Sequence, residues 1–267
     1  MSALAMAASD TAVLATRNLK RIPRQPDLLI AYTVQPVMFV LLFVFVFGGA
    51  IVTPGFDYVD FLMPGIIVQS IAFGGFVTAL GLSEDVQKGL IDRFRSLPIS
   101  QSAVLVGRTN GDAVNNLLVI VLMSLTGLLM GWRIRGGFVD AAIAFLLLFL
   151  FAYAASWITA AIGLTAKSPE VLGNAMLMVL LPLTFISNSF VPSEGLPSVL
   201  RVVADWNPVS AVVEACRQLF GNIPAGRPEP EVWPLQNPVL ASFLWVALIL
   251  AIFVPLAVQR YKKAVSQ

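Results

Sequence analysis

Six stretches of this chain carry no Lys or Arg away from their ends: 28–49, 61–83, 103–130, 138–166, 171–190 and 239–258. Each is apolar around most of the helical circumference over about 20 residues or more, the length that crosses the hydrocarbon core of a bilayer. Soluble helices of that length keep a polar face. A charge at the bilayer centre costs about 2.5–3.5 kcal/mol, so long gaps between charges are themselves a sign of spans. The pattern predicts an all-α integral membrane protein with six transmembrane helices in a single transmembrane domain, 1–267.

The remaining segments are not simple spans. In 9–22, Ser9 or Asp10 can cap a helix, and Ala12, Ala15, Leu19 and Ile22 form one stripe. Arg17, Lys20, Arg21 and Arg24 crowd the other side, which reads as an amphipathic helix lying on the membrane surface. The loop 84–100 is the most polar interior stretch. Within it Leu90, Ile91, Phe94 and Leu97 fall on one face of a short helix, with Asp92, Arg93 and Arg95 around them. Such a face at the tip of a loop calls for a protein partner. Segment 192–238 holds eight of the 17 prolines and two helices too short to span. One is expected from a Ser193 cap to about Ala204. The other follows an Asn207 cap, with Pro208 at its first position, and stops at Gly221. Early in the third span, Arg108 and Asp112 stand four apart and can pair, with Asn115 and Asn116 a turn deeper. These four read as intramembrane polar groups that bond helices together.

Basic residues set the orientation. With both termini inside, twelve of the 17 Lys and Arg lie on the cytoplasmic side and five outside, which predicts N-in, C-in topology. The loop 84–100 is then cytoplasmic, and 192–238 is extracellular: a re-entrant or interfacial helix pair, followed by a Pro-rich outer loop over 223–238. Residues 1–9 are apolar but short, with no preceding basic residue, so no signal peptide is expected.

Composition narrows the function classes. Hydrophobic residues make up 58% of the chain and charged ones only 12%, against about 25% charged in soluble domains. With a net charge of +2 there is no basic stripe for nucleic acid. No histidine and a single cysteine, Cys216, leave no expected metal site, no catalytic triad and no disulfide. Each lysine (Lys20, Lys88, Lys167, Lys262, Lys263) is preceded by a residue other than Gly, so no phosphate-binding Gly-Lys-Ser/Thr loop is present. Asp112 is the one carboxylate well inside a span, whereas a proton-driven transporter would more often show several.

The stretch 88–108, KGLIDRFRSLPISQSAVLVGR, resembles the cytoplasmic loop of type-2 ABC exporter permeases of the daunorubicin-resistance branch. The matching residues are Gly89, Asp92, Arg93, Phe94, Arg95, Ser96, Leu97, Pro98, Gly107 and Arg108. Gln101 departs from the family's usual Arg. A second resemblance covers 182–221, with its F-V-P corner and its Asn-Pro entry to a short helix. The resemblance implies a single permease domain in the bacterial cytoplasmic membrane. It also implies two cytoplasmic ATPase subunits that hold ATP and Mg, and a second permease copy or a homologous permease. No catalytic residue and no cofactor are implied on this chain. Glu84, Gly89, Asp92, Arg93, Phe94, Arg95, Leu97 and Pro98 would form the coupling helix seated on the ATPase. The path would be bordered by Gln69, Phe73 and Phe76 of span two and by Asn174, Met178, Phe185 and Asn188 of span five. Phe185 and Phe190 would form an outer gate. The expected cargo is a hydrophobic or amphipathic compound: an antibiotic, a drug or a lipid-like metabolite. The alternatives are a self-sufficient secondary transporter or channel, and a membrane scaffold that only anchors an ATPase.

Overall fold

The computed structural model describes residues 34, 37–47, 57–87, 101–166, 168–191, 193–223 and 229–266. The amphipathic segment 9–22, the first part of the first expected span and residues 88–100 lie outside the described residues. Among the described residues every regular element is helical. In chain order these are α1 (Val37–Val46), whose last turn widens into a π-helix, α2 (Tyr58–Gln87), α3 (Gln101–Leu129), α4 (Phe138–Gly163) and α5 (Pro169–Phe185). They are followed by α6 (Ser198–Asp205), α7 (Pro208–Phe220), the single turn α8 (Trp233–Gln236) and α9 (Pro238–Ser266).

Four of these helices are long and apolar enough to cross a membrane: α2, α3, α4 and α9. α1 and α5 are apolar but shorter. α5 ends at Phe185, short of the 190 expected, because the polar residues after it turn the chain. The Ser187 hydroxyl donates to the Thr184 carbonyl and pairs with that of Ser189 at 2.7 Å. Such local side-chain bonds compete with helix continuation.

α2 and α4 form the central pair. α4 also packs on α3, α7 and α9, while α2 reaches α1, α3, α5 and α7. Small residues let the central pair approach closely. Gly75 of α2 faces Thr159 of α4, and Gly163 of α4 lies against the Ala79 backbone of α2. This is the small-residue packing on which membrane helices rely when burial of apolar surface gives no drive. Around the pair, Ile67, Ile71, Leu147, Leu148, Val212, Val213 and Phe220 close a continuous core.

The short helices follow local signals in part. Asn207 caps α7 by accepting from the Val209 N–H at 2.9 Å, Pro208 takes the first position, and Gly221 ends the helix at φ 70°. The helix expected from a Ser193 cap is instead a single 3₁₀ turn, Ser193–Gly195, followed by α6. Pro197 is the cause: it cannot continue a helix begun at Ser193, so it starts a new one. Ser193 then donates across the gap to Asp205 at 2.9 Å.

The turn after α5 is pressed against α2. A Cβ at Gly65 would lie 2.2 Å from the Ser189 carbonyl oxygen, which is backbone and has no rotamer to change. Gly195 has nothing within 4 Å of that position. Gly65→Ala is therefore expected to lower stability by about 1–3 kcal/mol, and Gly195→Ala to change it little. Thermal unfolding of the two purified variants in detergent checks the contrast.

Candidate functional site

At the end of the bundle where α2 begins and α5 ends, the structure is fixed by a buried arginine. Arg217 sits on α7 with its side chain fully excluded from solvent. Its Nε donates to the Phe61 carbonyl of α2 at 3.0 Å. One terminal nitrogen donates to the carbonyls of Asn188 at 2.8 Å and Ser189 at 3.2 Å. The other faces Glu214, one turn earlier, at 3.6 Å. The guanidinium also lies 3.6 Å from the centre of the Phe61 ring, a cation–π contact strengthened by the absence of water. Asn188 closes the circuit, its amide donating to Glu214 at 3.3 Å and its backbone N–H to Ser210 at 3.1 Å. One guanidinium thus ties three segments that lie far apart in the chain.

A second polar set locks the α3–α4 turn to the same end. Asp60, buried near the start of α2, accepts from the Arg133 backbone N–H at 3.0 Å and from the Arg135 guanidinium at 2.6 Å. Asn222 receives the Trp132 indole N–H at 2.9 Å and donates to the Arg133 carbonyl. Backbone N–H groups of Arg135 and Gly136 reach the Phe220 carbonyl. Sequence reasoning counted Arg133, Arg135 and Arg217 only as topology charges. The signal that was available for Arg217 was Glu214 three residues before it in an otherwise apolar helix.

The candidate path residues divide. Asn174, Met178 and Phe185 lie exposed along one face of α5, with Met178 81% exposed. Phe73 and Phe76 are half-buried on α2, and Phe76 packs at the α2–α5 seam beside Gly173, Leu172 and Met176. Gln69 is buried inside the chain. Asn188 is also buried, in the Arg217 circuit, and Phe190 is buried between two rings. Phe190 stacks on Phe43 of α1 with ring centres 4.6 Å apart, and on Phe185 at 5.0 Å. The two gate candidates therefore touch, and α1 completes their stack. The hydroxyl of Tyr58 donates to the Phe190 carbonyl at 3.1 Å.

At the opposite end, Glu84 is exposed near the end of α2. The other coupling candidates, Gly89, Asp92, Arg93, Phe94, Arg95, Leu97 and Pro98, lie outside the described residues. Arg108 pairs with Asp85 of α2, a bond between helices, and not with Asp112 one turn away. Gly81 gives the guanidinium its room, since a Cβ there would collide with it. Asn116 is buried against Gly74 of α2, and Asn115 is half-buried. The polar residues of α3 thus bind α3 to α2. Among the described residues no group of three or more acidic or thiol side chains stands close enough to hold a metal ion.

The family model described as ABC-2 type transporter matches residues 9–220. The chain belongs to the ABC-2 type transporter family. This ABC-2 permease is 34% identical to the daunorubicin resistance ABC transporter permease protein of Streptomyces coeruleorubidus, over 97% of its own length and 88% of the relative's. It is 25% identical to a probable doxorubicin resistance ABC transporter permease protein of Mycobacterium tuberculosis, over 96% of this chain and 89% of that one. A putative transport permease of Pyropia yezoensis is 26% identical over 79% of this chain and 73% of its own. The permease is thus a transmembrane subunit of the ABC exporter kind, and its apolar helices place it in a membrane as a multi-pass protein.

Cys216 provides a probe of the Arg217 circuit. Burial pushes its thiol up to about 12, opposed only in part by the Arg217 charge beside it, so thiolate is scarce at neutral pH. Arg217→Met strands Glu214 and leaves the carbonyls at 61, 188 and 189 without their donor, a loss of about 3–5 kcal/mol for breaking a buried ion pair. N-ethylmaleimide is expected to leave Cys216 unmodified in the folded wild type at neutral pH and to alkylate it in Arg217→Met under the same conditions. Equal labelling would show that the circuit does not hold this end together.

Proposed function

We propose that this chain is the membrane subunit of an ATP-driven exporter in the bacterial cytoplasmic membrane. Its cargo is a hydrophobic or amphipathic compound, such as an antibiotic, a drug or a lipid-like metabolite. The resistance named for two relatives, to daunorubicin and to doxorubicin, supports that cargo class. The chain has six spans, α1 to α5 and α9, with both termini inside. The Arg217 end faces outward, and the Arg108 end faces the cytoplasm. Two separate ATPase subunits bind ATP and Mg, and a second permease, identical or homologous, completes the pathway.

The observation that carries this reading is the exposed face of α5. One face packs on α2, while the other presents Asn174, Met178, Leu181 and Phe185 to whatever lies outside the chain. Methionine and phenylalanine make a surface that adapts to varied apolar shapes, and Asn174 adds a single amide to it. A path between two permeases would be lined this way. Gln69, Asn188 and Phe190, which are buried within the single chain, border that path only if the outer end opens. The stack of Phe43, Phe190 and Phe185 is the outer gate in this reading: bulky rings that exclude water until they part.

Segment 84–100, whose first four residues are the last turn of α2, carries the coupling helix. Its apolar face, Leu90, Ile91, Phe94 and Leu97, enters a groove on the ATPase, flanked by Arg93 and Arg95. Arg93→Glu and Phe94→Ala are expected to abolish export and co-purification of the ATPase while leaving membrane insertion intact. Affinity pull-down of the ATPase and a vesicle export assay check this. Wild-type pull-down and wild-type export in both variants would remove the coupling assignment.

A further inference from the structure

The inner end holds a carboxylate that its own surroundings do not satisfy. Asp112 lies on α3, and its Oδ2 is buried without a hydrogen-bond partner. Thr78 of α2 supplies a hydroxyl to the carboxyl, and Arg108 is the positive charge it feels. Arg108 and Asp112 are four residues apart on one helix, the spacing at which an arginine reaches a carboxylate. Yet Arg108 gives its guanidinium to Asp85 on α2. Asp85 has the lesser need of it: its side chain is 32% exposed, so water can solvate it alone. The Oδ2 of Asp112, cut off from water, has no such substitute.

Two arrangements of the same three charges are therefore open to Arg108. With Arg108 on Asp85, α3 is clasped to α2 and Asp112 is left short of a partner. With Arg108 on Asp112, the buried charge is paired, Asp85 turns to water, and the clasp between the helices is released. The guanidinium lies in the space that Gly81 leaves beside α2, so it is not locked in by a side chain there. The clasp sits where α2 and α3 enter and leave residues 88–100, so a pull on that segment acts directly on it. Bistable elements of this kind, two discrete pairings with a small gap, are what convert a local displacement into a change of state.

We propose that Arg108 is a positioning residue for ATP-coupled transport, which exchanges Asp85 for Asp112 when the ATPase subunits close. The proposal rests on the reading of 84–100 as the segment the ATPase moves. The test is carboxyl footprinting of the assembled transporter in vesicles, by carbodiimide coupling and mass spectrometry. The ATPase subunits are compared nucleotide-free and trapped with ATP and vanadate. Glu170, exposed at the start of α5, serves as the reference carboxylate.

Coupling at Asp85 is expected to rise severalfold on trapping in the wild type, relative to Glu170, as Arg108 leaves it. In Asp112→Asn the rise is expected to vanish, because Arg108 has no second anion to receive it. That variant should still bind the ATPase but lose export about 5-fold or more. Asp85 equally protected in both wild-type states overturns the proposal, and so does an Asp112→Asn variant that responds to trapping and exports like the wild type. If Asp112→Asn does not assemble, the wild-type comparison alone decides. Failure of the docking reading shows separately: Arg93→Glu and Phe94→Ala then leave the ATPase attached, while the Asp85 footprint is still read in the wild type.

Discussion

The buried guanidinium of Arg217 is the constraint on which this end of the molecule depends. A lone cation in an apolar environment is costly enough that it needs a counter-charge and hydrogen-bond acceptors, or the segment carrying it will not stay buried. Arg217 meets that demand by drawing in α2 at Phe61, the turn after α5 at Asn188 and Ser189, and Glu214 on its own helix. None of these contacts is interchangeable. A shift of α7 by one turn would leave the charge without acceptors and the three carbonyls without donors. The position of α7 between α2, α4 and α9 thus follows from electrostatics as well as from the fit of its valines.

The two ends of the bundle are built for different tasks. The Arg217 end is cross-tied: Asp60 holds the α3–α4 turn, Asn222 holds Trp132, and Gly65 and Gly136 let backbone press on backbone. Beside these ties lies the ring stack of Phe43, Phe190 and Phe185, whose rings meet without directional bonds, while the Phe190 backbone is held by the Tyr58 hydroxyl. At the opposite end, among the described residues, Arg108 ties α3 to Asp85 of α2 in a partly exposed pair, and Arg260 of α9 donates to the Ala161 carbonyl of α4. An end held by buried polar ties with an aromatic seam beside them is suited to rigid-body motion of its helices.

Much of this was legible in the sequence. Gaps between charges marked α2, α3, α4 and α9, because the cost of a charge in hydrocarbon leaves a long-range trace. Asn207, Pro208 and Gly221 marked both ends of α7, because caps act within one turn. What was hidden depended on partners distant in the chain. Arg217 bonds to Phe61, 156 residues away, and no periodicity signals that. Arg108 looked like a partner for Asp112 on spacing alone, whereas Gly81 and Asp85 on the neighbouring helix decide where it points. The family resemblance nominates Asn188 for the path and Phe190 for the outer gate. The polar turn at 186–191 folds them inside the chain instead.

A permease that supplies a path and no energy, as proposed for this chain, moves cargo only when ATPase subunits drive it. Proteoliposomes holding the permease alone, or the permease with its ATPase subunits, test this directly with a fluorescent amphipathic probe. Probe movement that requires both ATP and the ATPase subunits, and is absent from the permease alone under proton or sodium gradients, is the predicted result. Probe movement by the permease alone, driven by an ion gradient, would contradict the account.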